Sequence, residues 1–262
     1  MIVTVTPNPS IDRTVTLPTA LVRGAVHRIG ATSSEPGGKG VNVARALALA
    51  GLDIIAVLPA RPGDPILAGL QDIGLNIYAV PVTGAVRTNL AITEPDGTTT
   101  KLNEPGSVME SADIDALTRA VLECAQSAQW VVLSGSLPPG MPEGWYADMV
   151  AALRPYPSKV AVDTSESPLA ALAHHLDRAA PDLIKPNAEE LAGLGGNGTI
   201  IGIRGGTRRC RSGGHRGAAV DRSGRGRGAD HPGCSWRGIG HRQRCLAGHP
   251  SPDHAAQHRR RR

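Results

Sequence analysis

A chain of 262 residues with 40% hydrophobic side chains has enough length to bury a substantial core. It contains no apolar run of about 18 residues and no charged-then-apolar leader, so a membrane span and a secretion signal are not expected. The formal charge of +5 does not describe a uniformly basic protein, because residues 196–262 hold 15 Arg, three Asp and neither Lys nor Glu, a balance of +12, while the first 195 residues carry −7.

In chain order, Met1–Thr6 is apolar and β-branched and is predicted as a buried strand ended by Pro7 and Pro9. Arg13–Leu17 and Ala25–Thr32 are predicted as polar-faced strands. A helix is expected over Val41–Ala50, ending at Gly51, followed by a strand over Asp53–Pro59 and a helix over Pro65–Ile73. Arg87–Glu94 and Thr98–Asn103 form a predicted hairpin joined by Pro95-Asp96-Gly97. Ala112–Ala128 is predicted as a long helix with Ser111 as N-cap. Trp130–Ser134, Lys159–Asp163 and Leu183–Lys185 are predicted strands, alternating with helices over Gly144–Leu153, Pro168–His175 and Ala188–Gly193. This alternation predicts an α/β fold, a mostly parallel sheet with helices on both faces. The two polar-faced pairs, near 13–32 and 87–103, predict a small β-sheet lid over its carboxyl edge, where open α/β sheets bind ligands.

The pattern stops near Gly195. Residues 196–262 contain 15 of the 32 Gly, six of the nine His, three of the four Cys and only six Val, Ile, Leu or Met. So few apolar groups cannot offset the entropy of ordering, and the segment is expected to be disordered. Translation in a shifted reading frame explains its Arg, Gly, His, Cys and Trp without Lys. A genuine basic arm that binds a polyanion is the competing reading. A zinc site from Cys210, Cys234 and Cys245 is set aside, since none of them forms a Cys-x2-Cys pair. Cys124, the one cysteine of the body, falls in a helical pattern and needs no partner, which fits a reducing cytoplasm.

The most informative stretch is Glu35-Pro-Gly-Gly-Lys-Gly-Val-Asn-Val-Ala-Arg45. Glycines ahead of a helix let backbone approach a ligand, and unpaired N–H groups at the helix start suit an anion or polar substrate. It is neither a Walker A loop nor the Gly-x-Gly-x-x-Gly dinucleotide spacing, and by itself reads equally as a turn before a core helix. Thr6-Pro-Asn-Pro-Ser-Ile-Asp12, Gly135-Ser136-Leu-Pro-Pro-Gly140 and Lys185-Pro-Asn187-Ala-Glu-Glu190 each follow a predicted strand. All three therefore fall on the ligand-binding edge.

Together with Arg87-Thr-Asn89, Leu102-Asn-Glu-Pro-Gly106, Leu133-Ser-Gly-Ser-Leu-Pro-Pro-Gly and Asp163-Thr-Ser, these motifs resemble the ribokinase-like (PfkB-type) carbohydrate kinases, and most of all their 1-phosphofructokinase branch. The resemblance runs from Met1 to about Leu194 and implies a ribokinase-like fold and ATP-dependent phosphoryl transfer, with fructose 1-phosphate as the leading substrate. Fructose 6-phosphate and tagatose 6-phosphate are not separated from it by these motifs. Carried over residue by residue, the resemblance implies that Asp12 accepts sugar hydroxyls and that Gly38, Lys39 and Asn42 line the sugar site, with Ser136 at its floor. Arg87, with Arg28, would grip the phosphate already on the substrate. Lys185, Asn187 and Glu190 would face the ATP phosphates and a hydrated Mg2+, Glu190 acting through water. Glu190 also reads as an ordinary first-turn helix carboxylate. A homodimer through the lid is implied as well.

The family pattern continues with Ser-Leu-Gly and Thr-x-Gly-Ala-Gly-Asp, whose Asp takes the proton from the attacking hydroxyl. Neither string occurs; Gly226-Arg-Gly-Ala-Asp230 lacks the second glycine and stands in an Arg/Gly run. This chain is therefore expected to be inactive as a kinase, with no catalytic base to name. A non-catalytic sugar-phosphate binder with a nucleic-acid-binding tail is the alternative.

Overall fold

The apolar hexapeptide at the start of the chain forms β1 (Ile2–Val5), an inner strand of a six-stranded sheet. The computed structural model describes residues 1–187 and 189–190. The expectations for residues 196–262, and for the helix from Ala188 apart from Glu189 and Glu190, lie outside the described residues.

β1 pairs in parallel with β4 (Ile54–Ala60) on one side and β8 (Trp130–Ser134) on the other. β5 (Ile77–Pro81) continues the sheet beyond β4, and β9 (Lys159–Asp163) and β10 (Leu183–Ile184) extend it beyond β8, all parallel. Inner strands of a parallel sheet are covered on both faces, which is why β4 reads as the unbroken apolar run Ile-Ile-Ala-Val-Leu-Pro-Ala. Its Val57 enters one core with Val3, Val5, α3 (Ser111–Ala125) and α4 (Trp145–Leu153). Its Ala56 and Leu58 enter the opposite core with α1 (Lys39–Leu49) and α2 (Pro65–Asp72). Successive residues of one strand thus anchor helices on both faces.

Three readings change in the structure. β5 has no counterpart among the predicted elements: its five residues follow Gly74 closely and end on Pro81, tolerated because β5 is an edge strand. The strand expected over Ala25–Thr32 is instead β3 (Ala31–Gly37), and the strand before it, β2, spans Ser10–Thr16. Val26 is 94% exposed, so the apolar residues of 25–29 were a false strand signal, while the polar Ala-Thr-Ser-Ser-Glu-Pro-Gly is held by seven register pairs to β2. Finally, α3 is capped by Glu110 and Asp113 in a reciprocal capping box, not by Ser111.

β6 (Arg87–Thr93) pairs in parallel with β2, and antiparallel with β7 (Thr99–Asn103). The result is a four-stranded sheet of order β3-β2-β6-β7. The chain enters β2 from the carboxyl end of β1 and enters β6 after β5, so this small sheet springs from the carboxyl edge of the large one. Asp64 ties the second crossing down: it is 3% exposed, its Oδ1 accepts the N–H of Ile66 at 3.3 Å and its Oδ2 accepts the N–H of Val86 at 3.1 Å. Asp64→Ala is expected to lower stability by about 2 kcal/mol, the upper range for a helix N-cap, because a buried and a part-buried N–H group lose their acceptor. Urea unfolding of the two chains measures it.

Candidate active site

Polar side chains gather where the small sheet leaves the large one. Asn8, 6% exposed on the turn after β1, donates from Nδ2 to the Pro105 carbonyl at 3.0 Å and towards Ser136 Oγ at 3.4 Å. One side chain thereby pins the segments that follow β1, β7 and β8. Asp12 lies in mid-β2, where Oδ1 accepts Ser10 Oγ at 2.7 Å and Asn89 Nδ2 at 3.0 Å. A Cβ on Gly37 would collide with this carboxylate. Gly38 has φ +110°, in the region that favours glycine, and a Cβ there would approach Thr6 Cγ2 to 2.7 Å. The two glycines let the start of α1 settle against β1 and Asp12. Gly38 makes no side-chain cap bond, so the first N–H groups of α1 are left to the adjoining space.

That space is an open cleft of about 580 Å3 lined by Asp12, Gly38, Lys39, Asn42, Arg87 and Asn89, with Lys101 and Asn103 of β7. Arg87 also borders a second cleft of about 400 Å3, which holds Asn8, Ser136 and Glu166. Its Nη1 donates to the Glu104 carbonyl at 2.9 Å and its Nη2 to Ser136 Oγ at 3.4 Å, while Nε is buried without a partner among the described residues. Burial draws the Arg87 guanidinium below its ordinary pKa, and the nearby Asp12 and Glu104 charges oppose that shift.

At the ends of β8 and β9 the backbone is equally constrained. The Gly135 carbonyl accepts both Tyr146 OH and Thr164 Oγ1 at 2.9 Å, and its N–H donates to the Asp163 carbonyl at 2.9 Å, which sets the position of Ser136. Burial pushes the Tyr146 hydroxyl above its usual range and keeps it a donor. Asp163 bridges two cations: Oδ1 lies 3.2 Å from Lys39 Nζ and Oδ2 lies 3.6 Å from Lys185 Nζ. Beyond β10, the Asn187 N–H donates to Glu190 Oε2 at 2.7 Å and the Glu190 N–H to Asn187 Oδ1 at 2.8 Å. This is a capping box, and it commits one Glu190 oxygen to the helix start.

The structure thus brings Asp12, Gly38, Lys39, Asn42 and Arg87 to one cleft and Ser136 to its neighbour. Lys185 joins them through Asp163. It does not bring Arg28, which is exposed on the turn before β3 and lines neither cleft. Asn8, Asn89 and Asp163 lie within motifs visible in the sequence, but nothing local gave them a task. Glu166, the one described non-glycine residue with positive φ (56°), had no sequence signal at all.

Residues 5–199 match the model of the pfkB family carbohydrate kinases, and the chain belongs to that family. It is 38% identical over 207 residues to the 1-phosphofructokinase of Rhodobacter capsulatus, covering 77% of this chain and 63% of that one. It is 36% identical over 192 residues to the 1-phosphofructokinase of Xanthomonas campestris pv. campestris, covering 72% and 60%. Among solved structures it resembles phosphofructokinase-2 from Escherichia coli in complex with fructose-6-phosphate, with a TM-score of 0.68, 30% identity, and coverage of 74% of this chain and 63% of that one. Ribokinase from Giardia lamblia, 16% identical with a TM-score of 0.60, shares the fold. The chain spans about three fifths of the length of the curated relatives it matches, 63%, 60% and 59% for three of them.

Proposed function

We propose that this chain binds a phosphorylated ketohexose in the cleft between the two sheets, with fructose 1-phosphate the leading candidate. We further propose that the cleft is the sugar half of an ATP-dependent kinase site yielding fructose 1,6-bisphosphate. The observation that carries this reading is the joint placement of Asp12 and Arg87. A fixed carboxylate able to accept hydroxyls and a guanidinium line one cleft, the two chemistries a sugar phosphate requires. Gly38, Lys39 and Asn42 fit the role of lining the sugar, while Ser136 borders the neighbouring cleft and meets the site through Arg87 Nη2. Lys185, which Asp163 holds near Lys39, and Asn187 fit the phosphates of the nucleotide. Among the described residues no three His, Cys, Asp or Glu side chains form a metal cluster. Mg2+ would be held mainly by waters and the phosphates of the nucleotide, with Glu190, one of whose oxygens accepts the Asn187 N–H, reaching it through water.

Transfer to the sugar hydroxyl needs a base for its proton and amides for the moving phosphoryl group, and the sequence has no Gly-Ala-Gly-Asp to supply them. Loss of a general base alone costs about 10²- to 10⁴-fold. The 262-residue chain is therefore expected to bind fructose 1-phosphate without turning it over. Calorimetric titration with fructose 1-phosphate, fructose 6-phosphate and tagatose 6-phosphate tests the first half, and a coupled ADP-release assay with MgATP tests the second. Absence of binding to all three sugars overturns the proposed function; measurable turnover overturns the proposed inactivity. The exposed Leu102 of β7 and Val26 are consistent with the small sheets of two copies packing together, which sedimentation would reveal as a dimer. The +12 segment supports one other reading, a binder that also holds nucleic acid; steeply salt-dependent DNA affinity would establish it.

A further inference from the structure

Asn89 has no task in the reading above, yet its surroundings are specific. It faces Asp12 across the parallel β2–β6 pair and lines the same cleft. Its amide nitrogen lies 3.0 Å from Asp12 Oδ1, and the orientation follows from chemistry, since the flipped amide would set oxygen against a carboxylate. Ser10 Oγ donates to the same oxygen at 2.7 Å. Two donors therefore converge on Oδ1, and among the described residues none is directed at Oδ2. The carboxylate cannot rotate without giving up both bonds, and its second oxygen is the one left for a ligand hydroxyl. The Asn89 Oδ1 atom, by contrast, is buried with no partner among the described residues. An amide kept at that cost earns nothing for stability from its carbonyl, so its value lies in the bond it donates.

We propose that Asn89, assisted by Ser10, is a positioning residue that orients Asp12 for hydroxyl recognition and so separates a sugar phosphate from bare phosphate. This rests on the sugar-phosphate reading of the cleft. Arg87 grips phosphate whether or not Asp12 is aligned, whereas the sugar hydroxyls find their acceptor only while Oδ1 is tethered.

The test is titration of the full 262-residue chain with fructose 1-phosphate and, separately, with inorganic phosphate. Asn89→Leu is expected to weaken fructose 1-phosphate by about tenfold or more, as for a lost hydrogen-bond arrangement at a charged group, and to leave inorganic phosphate within about twofold. Its melting temperature should not fall in step with binding, because the variant also removes an unsatisfied buried carbonyl. Asn89→Asp, which sets a second carboxylate against the first, should weaken the sugar phosphate further. If Asn89→Leu fails to fold, Ser10→Ala, a smaller change at a fully buried site, should show the same selective loss. Equal weakening of both ligands, or no weakening of either, overturns the positioning role while leaving the sugar-phosphate site intact. Failure of the unaltered chain to bind fructose 1-phosphate overturns the reading on which this one rests.

Discussion

Replacing Arg87 with Leu is expected to weaken sugar-phosphate binding by about 10²- to 10⁴-fold with little change in stability. Hydrogen bonds to a charged group contribute about 1.5–3 kcal/mol each, and a guanidinium gripping a phosphate through two parallel bonds loses both. The small stability effect follows from how Arg87 is held. It sits partly desolvated at the junction of two clefts, its bonds go to one carbonyl and one hydroxyl, and among the described residues Nε has no partner, so its burial is poorly offset. Asp12 is near enough to influence it, which keeps the charge in place until an anionic ligand arrives. Arg87→Lys should recover only part of the affinity, since an ammonium supplies charge but not the planar fork. Calorimetry of the three chains, with melting temperatures measured in parallel, decides it. Unchanged affinity in Arg87→Leu would remove the phosphate from this position.

The second large effect is expected at Gly40. A Cβ there would lie 2.7 Å from the Val5 carbonyl oxygen and 3.1 Å from its carbon, and would press on Thr6 Oγ1. These are backbone atoms at the end of a central strand, so they cannot swing aside as a flexible side chain would. Overpacking of this kind costs about 1–3 kcal/mol. At about 2–4 °C per kcal/mol for a domain of this size, Gly40→Ala should lower the melting temperature by roughly 2–12 °C. The displacement would also lift the start of α1 away from β1, moving Gly38, Lys39 and Asn42 relative to Asp12. Binding should therefore fall together with stability, in contrast to Arg87→Leu. Thermal melts and titrations of Gly40→Ala would show whether the two losses are coupled. A variant that melts with the unaltered chain would mean that α1 has room to shift.

These two residues also show what was legible in the sequence. Gly40 belongs to Gly-Gly-Lys-Gly ahead of an apolar helix, which the sequence marks as a Gly-rich turn, but its close approach to Val5 appears only in the structure. The parallel sheet can be read from residue type alone, because strands buried on both faces must be apolar throughout and helices must show an apolar stripe. Arg87 was visible as a cation opening a hairpin, but not its grip on the Glu104 carbonyl and Ser136.

The smaller sheet was the harder case. Val26 and Ile29 looked like a strand and are exposed, whereas Ala31–Gly37, which has no large apolar side chain except Pro36, is one. Propensity loses there to the ladder that β2 offers, since backbone pairing does not depend on side-chain hydrophobicity.

By itself the sequence determined the alternation of strands and helices, the carboxyl edge as the place for chemistry, and a glycine-rich turn ahead of α1. These follow from local periodicity and from the steric needs of single residues. Only the tertiary structure decided that Asn89 tethers Asp12, that Asp163 holds Lys39 and Lys185 together, and that Arg28 stands apart. Those outcomes depend on strand register and loop path between residues far apart in the chain. Such pairings leave no period in the sequence, because the partners meet only after both sheets have formed.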